Sequence, residues 1–346
     1  MRRRIPILGA LALAASLFTM PTGGTPSGAA EQVVELPVSF DVQNTNNTSV
    51  PCASDGKPYT VRGHIVAPAS ALDRPRAATL YLHAVTWGEY YWRFKSVPNY
   101  DYATQQANNG HVSVTIDRIG YGASGRPEGN LGTCFGSEAD VAHQMVQALR
   151  RGDYQLQGHA PVSFPRVFTA GASVGGLTAH IEAYTFHDVD GLINFAWGDF
   201  AVSAYTAEEF NDVQMRCAEG GDAGTPGYAA FFKNTRDRFY FHSATDDVRR
   251  AVPPLHPDPC GQLRSIPPGI NADMAELGRI DVPVLAVFGE NDAVFPPPAG
   301  QQQAARYVGS PDVTLKMIPN ASHYPLVEAT HLEVVSAVDE WLDKHS

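Results

Sequence analysis

The chain has 346 residues, of which 44% are hydrophobic, and a formal net charge of −11. This length and apolar content allow a large buried core and exclude a disordered protein. The acidic balance argues against nucleic acid or an anionic membrane as a partner, because like charges repel.

Residues 1–30 have the pattern of a secretory signal peptide. Arg2-Arg3-Arg4 precede an apolar run over residues 5–20, and small residues lead up to Ala30. The run is shorter than the roughly 20 residues that span a bilayer. We therefore predict cleavage after residue 30, a secreted extracellular protein and no stable membrane anchor. Because the segment carries three arginines and no acid, its removal changes the net charge from −11 to −14.

Four cysteines, Cys52, Cys134, Cys217 and Cys260, form an even set without the spacing of a metal site. In an exported chain such a set indicates disulfide bonds. Three pairings are possible. We favour Cys52 with Cys134 and Cys217 with Cys260, because the second pair falls within one inserted segment.

The predicted strands begin with an opening hairpin and continue as a parallel sheet. Residues 33–42 and 59–67 alternate or run apolar on either side of a turn-rich region, which is typical of a hairpin. Short apolar strands then alternate with helical stretches, as in βαβ units. These later strands are predicted over residues 78–83, 111–117, 166–170, 191–197, 284–289 and 313–318.

Helices are predicted over residues 137–150 and 328–345, where apolar side chains recur at helical spacing. The interval between the strands at 191–197 and 284–289 is far longer than an ordinary connection. The sequence therefore predicts an α/β fold with a mostly parallel central sheet flanked by helices. Its core would comprise residues 31–198 and 281–346, with a helical cap or lid inserted over residues 199–280.

The pentapeptide Gly171-Ala172-Ser173-Val174-Gly175 lies between a predicted strand and a predicted helix. A G-x-S-x-G pattern in this setting is typical of a nucleophile elbow. The flanking glycines let neighbouring backbone approach a serine that is held at a sharp turn. We predict that Ser173 is a nucleophile exposed at a helix N-terminus, where the N–H of Val174 can bind a developing oxyanion.

A serine nucleophile needs a histidine base and a carboxylate that orients this base. His323 follows the strand at 313–318, and Asp292 follows the strand at 284–289, which is the order of this fold. We predict His323 as the base and Asp292 as the acid. Glu290 competes locally, and Asp199, after the strand at 191–197, is the second candidate for the acid.

Four blocks of this sequence resemble the α/β-hydrolase superfamily, over residues 59–346. They are residues 80–88 (Leu-Tyr-Leu-His-Ala-Val-Thr-Trp-Gly), residues 117–125 (Asp-Arg-Ile-Gly-Tyr-Gly-Ala-Ser-Gly), the elbow at 171–175, and Gly289-Glu-Asn-Asp292 together with His323. The resemblance implies the α/β-hydrolase fold, with a cap inserted after the sixth strand of the usual topology.

The resemblance also implies a second oxyanion amide after His83. It points to Val85 beside Val174, although Ala84 stands where glycine is common in the family. In such families the histidine at the position of His83 shapes the loop and is not the base.

Residues and resemblance together predict a secreted serine hydrolase that cleaves a carboxylic ester or lactone through a Ser-His-Asp triad and an acyl-enzyme. The expected substrate is a small-molecule or lipid-like ester, and no metal or organic cofactor is required. A prolyl-type aminopeptidase is an alternative, in which Glu208 and Glu209 would bind a free amine. An alternative of another class is a non-catalytic binding protein on the same fold.

Overall fold

Thirteen strands occur in the computed structural model, which describes residues 31–128 and 132–346. The strands are β1 (Val33–Gln43), β2 (Pro58–Pro68), β3 (Ala77–Leu82), β4 (Ser113–Asp117), β5 (Gln155–Leu156), β6 (Arg166–Ala172), β7 (Leu192–Phe195), β8 (Gly221–Asp222), β9 (Thr225–Pro226), β10 (Tyr228–Ala229), β11 (Asp258–Pro259), β12 (Val284–Gly289) and β13 (Val313–Ile318). The signal peptide predicted over residues 1–30 lies outside the described residues.

Helices pack on the sheet or belong to the insertion. They are α1 (Ala69–Asp73), α2 (Tyr102–Asn108), α3 (Phe135–Arg151), α4 (Val174–Phe186), α5 (Ala204–Ala218), α6 (Arg236–Tyr240), α7 (Asp246–Ala251), α8 (Cys260–Arg264), α9 (Ile266–Glu276), α10 (Ala299–Ala304) and α11 (His331–His345). Short 3-10 helices cover Glu89–Tyr91, Leu277–Arg279 and Pro325–Val327.

Nine strands form one sheet in the order β13-β12-β7-β6-β3-β4-β2-β1-β5. The strands from β13 to β4 pair in parallel, whereas β2 pairs antiparallel with both β4 and β1. The inner parallel strands β3, β6, β7 and β12 are almost entirely buried, as expected for strands that are covered on both faces, whereas the edge strand β13 is partly exposed. The predicted fold, a mostly parallel sheet flanked by helices and preceded by a hairpin, is therefore confirmed.

Helix α3 illustrates how the sequence dictates the covering helices. Its residues Val141, Met145 and Leu149 are four apart, so they lie on one face, and all three are buried. The helix ends where Gly152 adopts a left-handed conformation with φ 70°, a common end for a helix.

Between β7 and β12 the chain leaves the sheet, and this insertion contains α5 to α9 and the two-stranded sheets β8-β9 and β10-β11. It packs with the remaining described residues into one compact unit, Glu31–Ser346. The division into core residues 31–198 and 281–346 and cap residues 199–280 therefore remains a prediction.

Two disulfide bonds join Cys52 to Cys134 and Cys217 to Cys260, which confirms the favoured pairing. The first fixes the segment after β1 to the residue before α3, and the second ties α5 to α8 within the insertion. Among residues 31–128 and 132–346, none of the helices has the length and apolar character needed to cross a membrane.

Candidate active site

Ser173 occupies the sharp turn between β6 and α4. Its φ of 52° and ψ of −123° are sparsely populated values for a residue with a side chain. A Cβ on Gly171 would lie 2.0 Å from the carbonyl oxygen of Gly175, and one on Gly175 would lie 2.2 Å from that of Leu82. Only glycine fits at both positions, so the motif permits a close approach of strand, turn and helix that a larger residue would prevent.

His323 and Asp292 form a buried hydrogen-bonded pair. The His323 Nδ1 lies 2.9 Å from Asp292 Oδ2, and both side chains have 0% exposure. Because a carboxylate only accepts, Nδ1 carries the proton of the neutral imidazole and Nε2 presents a lone pair. This Nε2 is buried and has no hydrogen-bond partner among the described residues.

Asp292 is itself held in place by backbone amides. Its Oδ1 accepts hydrogen bonds from the N–H groups of Val294 at 2.7 Å and Phe295 at 3.0 Å. One oxygen therefore anchors the carboxylate to its own turn, while the other orients His323. Glu290, the local competitor, is exposed and forms no bond with the histidine.

The predicted residues reach one edge of the sheet because parallel strands end on the same side. Ser173 follows β6, Asp292 follows β12, His323 follows β13, and the loop containing Val85 follows β3. In the sheet, only β7 separates β6 from β12, which brings loops that are distant in sequence together.

The loop after β3 holds the Ala84–Val85 peptide in a fixed orientation. The Arg118 N–H donates to His83 Nε2 at 3.0 Å, so the proton is on Nδ1, which donates to the Ala84 carbonyl at 2.8 Å. Complete burial holds the pKa of His83 well below its ordinary value, so the ring stays neutral. The N–H of Val85 belongs to the same peptide unit as this carbonyl and therefore points the opposite way.

An apolar cavity of about 310 Å³ contains the predicted nucleophile and both predicted oxyanion residues. Ser173, Val85 and Val174 line it together with residues of the insertion. Neither Val85 nor Val174 donates its N–H to any acceptor in residues 31–128 or 132–346. The other lining residues are mostly apolar, and include Trp197, Val202, Phe210, Phe231, Phe232, Ile266, Ile270, Val294 and Phe295.

Asp199, the second candidate for the acid, lies in a different cluster. Its carboxylate accepts from Trp197 Nε1 and Gln303 Nε2, both at 3.1 Å, and does not bond to His323. Trp197 Nε1 also lies 3.3 Å from Asp273 Oδ2, so the two carboxyl groups are close together. Burial, and then the proximity of the partner, raise the pKa of Asp199 to about 8, and burial raises that of Asp273 to about 8.

His180 completes this cluster, of which Asp199 also lines the cavity. Its Nδ1 lies 2.8 Å from Asp273 Oδ2, and its Nε2 lies 2.8 Å from the Tyr307 hydroxyl. Burial lowers the pKa of His180 to about 4, so the ring is neutral. Ligand atoms of His180, Asp199 and Asp273 lie within 4.8 Å of one another, as metal ligands would, but hydrogen bonds already use both ring nitrogens.

The two glutamates considered for an amine site do not line the cavity. Glu208 is exposed, and Glu209 accepts from the Thr235 hydroxyl at 2.7 Å. The residue that sequence reasoning missed is Asp258, which is fully buried and hydrogen-bonded to the N–H of Thr86 at 2.6 Å. Its only sequence signal was its place two residues before Cys260.

Comparison with known proteins identifies the family. The profile of the Alpha/beta hydrolase family matches residues 80–337. A pimeloyl-[acyl-carrier protein] methyl ester esterase from Neisseria meningitidis serogroup B is 26% identical over 213 residues, which cover 53% of this chain and 78% of that protein.

Solved structures share the fold at low identity. A monoacylglycerol lipase from Paleococcus ferrophilus has a TM-score of 0.56 at 19% identity, covering 78% of this chain and 94% of its own. A thermophilic esterase from Thermogutta terrifontis has a TM-score of 0.59 at 17% identity, covering 89% and 100%. With the family profile matching well over half of its length, this chain belongs to the alpha/beta hydrolase family.

Proposed function

We propose that this protein is a serine hydrolase that cleaves carboxylic esters, with Ser173, His323 and Asp292 as its triad. Val85 and Val174 supply the oxyanion amides. The proposal includes secretion after removal of residues 1–30, which the two disulfide bonds support because such bonds persist in oxidising compartments.

The reaction proceeds in two halves through an acyl-enzyme. The Ser173 hydroxyl attacks the ester carbonyl while His323 Nε2 takes its proton, and the oxyanion is held by the amides of Val85 and Val174. The protonated His323, stabilised by Asp292, then donates its proton to the leaving alcohol. Water repeats the attack with the same base, which releases the carboxylic acid and restores the serine.

One observation carries this proposal: the buried His323–Asp292 pair leaves Nε2 as an unpartnered acceptor at the sheet edge where the elbow serine lies. A merely structural histidine at this depth would have both ring nitrogens engaged, as His180 does. The free lone pair is what a general base needs.

The cavity supports an ester with an apolar acyl group of small to medium size. A volume of about 310 Å³ is at the lower end of ligand pockets, and most of its lining is aromatic or aliphatic. The methyl ester esterase from Neisseria meningitidis supports ester cleavage as the reaction class. The placement of Glu208 and Glu209 outside the cavity disfavours the aminopeptidase alternative.

The experiment that tests the proposal is hydrolysis of a chain-length series of chromogenic esters by the mature protein and by Ser173→Ala. An aminoacyl amide is included as a second substrate class. We expect turnover of the esters, a decline beyond a limiting acyl length, and loss of at least about 1,000-fold in kcat for the variant. Turnover that persists in Ser173→Ala, or cleavage of the amide alone, would overturn it.

A further inference from the structure

The loop that supplies the oxyanion amide at Val85 is held from two sides. On the core side, His83 fixes the Ala84 carbonyl, as described above. On the other side, Thr86 has a φ of 61°, a left-handed value that is strained for a residue with a branched side chain. Such a conformation persists only where neighbouring groups hold it.

Every polar group of Thr86 is bonded, and three residues of the insertion contribute to those bonds, together with the Tyr90 hydroxyl, which donates to the Thr86 carbonyl at 3.3 Å. Its N–H donates to Asp258 Oδ1 at 2.6 Å, and its carbonyl accepts from the His256 N–H at 3.1 Å. Its hydroxyl is hydrogen-bonded to the Tyr240 hydroxyl. The same hydroxyl lies 2.6 Å from the Val85 carbonyl. The insertion therefore fixes the peptide that directly follows Val85.

Asp258, His256 and Tyr240 together form a clamp on Thr86. Asp258 is the member of this clamp that bears a formal charge. It is 0% exposed, and its oxygens also accept from the Tyr121 hydroxyl at 2.8 Å and the Phe231 N–H at 3.2 Å. All three donors are neutral, so the buried carboxylate has no hydrogen bond to a lysine or arginine in the described chain. Burying a carboxylate without a hydrogen-bonded cation costs free energy. The attraction of Arg118 and three hydrogen bonds offset this cost, and one of those bonds goes to the loop that carries Val85.

We infer that Asp258 is a positioning residue of the oxyanion hole. Its carboxylate fixes the Thr86 N–H and, through it, the orientation of the Val85 amide, so that the packing of the insertion on this loop sets the geometry of the hole. This inference deepens the proposed function and rests on it. No described contact brings Asp258 to the cavity wall, so it acts through Thr86 and not on the substrate.

A loss of positioning differs from a loss of binding in the kinetic constants that it changes. Misplacing an oxyanion amide weakens the transition state and leaves ground-state contacts in the apolar cavity intact. In Asp258→Asn the amide oxygen can still accept from Thr86, but the amide nitrogen opposes the Phe231 N–H as donor against donor. In Asp258→Ala the clamp is lost altogether.

The test compares these variants with Asp222→Asn. Asp222 is a matched control because it is an aspartate of the same insertion that accepts from the Ala230 N–H at 3.0 Å, beside Phe231, but does not touch Thr86. We expect kcat on the best ester to fall about tenfold in Asp258→Asn and about 100-fold in Asp258→Ala. KM should stay within about threefold, and Asp222→Asn should keep kcat within about twofold.

A boronic acid inhibitor supplies a readout that a purely structural role would not move. Its tetrahedral adduct with Ser173 places an oxygen in the oxyanion hole, so its Ki should rise in parallel with the fall in kcat. The Ki of a non-covalent alcohol that fills the cavity should not change. Equal losses in Asp222→Asn and Asp258→Asn, or a rise in KM without a fall in kcat, would overturn the inference.

Two further measurements keep this result separate from the proposed function. Wild-type turnover and its loss in Ser173→Ala test the proposed function alone. If both are observed and Asp258→Asn nevertheless keeps the full wild-type kcat, the proposed function stands and the inference fails. If Asp258→Asn does not fold, Tyr121→Phe removes another donor from the same oxygen. It should then lower kcat about twofold to fivefold at constant KM, and an unchanged kcat would contradict the inference.

Discussion

Two carboxylates follow neighbouring strand ends, and their hydrogen-bond partners give them different tasks. One oxygen of Asp292 accepts hydrogen bonds from backbone amides, and the other accepts from His323. The carboxylate of Asp199 instead accepts from Trp197 and Gln303. Sequence order left both as candidates for the acid, because each follows a parallel strand. The direction of each side chain within its turn decides which of the two aspartates reaches His323, and the order of the strands does not determine that direction.

Replacing Asp292 should therefore disable the base without unfolding the protein. In Asp292→Asn the amide can donate to Nδ1, which favours the wrong tautomer of His323, and we expect kcat to fall by about 1,000- to 10,000-fold. The measurement is ester hydrolysis, with Glu290→Gln as an exposed control on the same turn. A fall of less than about tenfold in Asp292→Asn would contradict this role.

The Asp199–Asp273 pair predicts a pH dependence of stability. Burial raises the pKa of Asp273 from 3.8 to about 8, so the folded protein retains a proton that the unfolded chain has released. The free energy of unfolding therefore falls as pH rises from about 4 to about 8. Below the pKa of this carboxyl group in the unfolded chain, both states are protonated and this destabilisation is absent.

Asp273→Asn should remove part of this penalty. Its amide oxygen can still accept from His180 and Trp197, and we expect a gain of about 1–3 kcal/mol in the free energy of unfolding at pH 8 relative to pH 5. Denaturant unfolding at the two pH values measures it, with the exposed Asp246→Asn as control. Parallel pH profiles for wild type and Asp273→Asn would refute the assignment.

Among the elements, the apolar parallel strands were the most predictable from sequence. Their apolar runs are bounded by loop residues, and β12 and β13 lie at the predicted positions, 284–289 and 313–318. Short elements such as α2, with seven residues, and β5, with two, were missed, because so few residues hold too little periodicity to be distinguished from a loop. Within the insertion, tertiary contacts and a disulfide select the structure, so local pattern does not reveal it.

Helix α5 should set the acyl length that the cavity accepts. Ala207 of this helix lines the cavity, whereas Met215 on its outer face is 61% exposed. Ala207→Trp fills the space with a bulky ring, so we expect kcat/KM for octanoyl esters to fall more than about tenfold while acetyl esters are little affected. Met215→Trp is the control, and equal losses for both chain lengths would show that α5 does not size the pocket.

On the scale of the whole molecule, the two disulfide bonds should have similar effects on stability and different effects on activity. They close loops with sequence separations of 82 and 43 residues. Loop entropy then predicts losses of about 4.5 and about 4 kcal/mol when the bonds are removed, because the dependence on length is logarithmic. Only the bond at Cys260 lies beside Asp258 and the clamp on Thr86.

Double serine variants test this difference. Replacing Cys52 and Cys134 should lower the Tm and leave kcat unchanged below the transition, whereas replacing Cys217 and Cys260 should lower both. Differential scanning calorimetry and ester kinetics at the same low temperature provide the comparison. Equal kcat for the two variants would show that the oxyanion loop does not depend on this part of the insertion.

The order of the cysteines along the chain also bears on biosynthesis. Cys52 pairs with Cys134 and Cys217 with Cys260, so each bond joins consecutive cysteines and the two loops neither cross nor nest. A chain that emerges with its N-terminus first, from a ribosome or a translocation channel, presents every cysteine with its native partner before the next pair appears. A dithiol oxidase acting during emergence can therefore complete both bonds without a disulfide isomerase to reshuffle them.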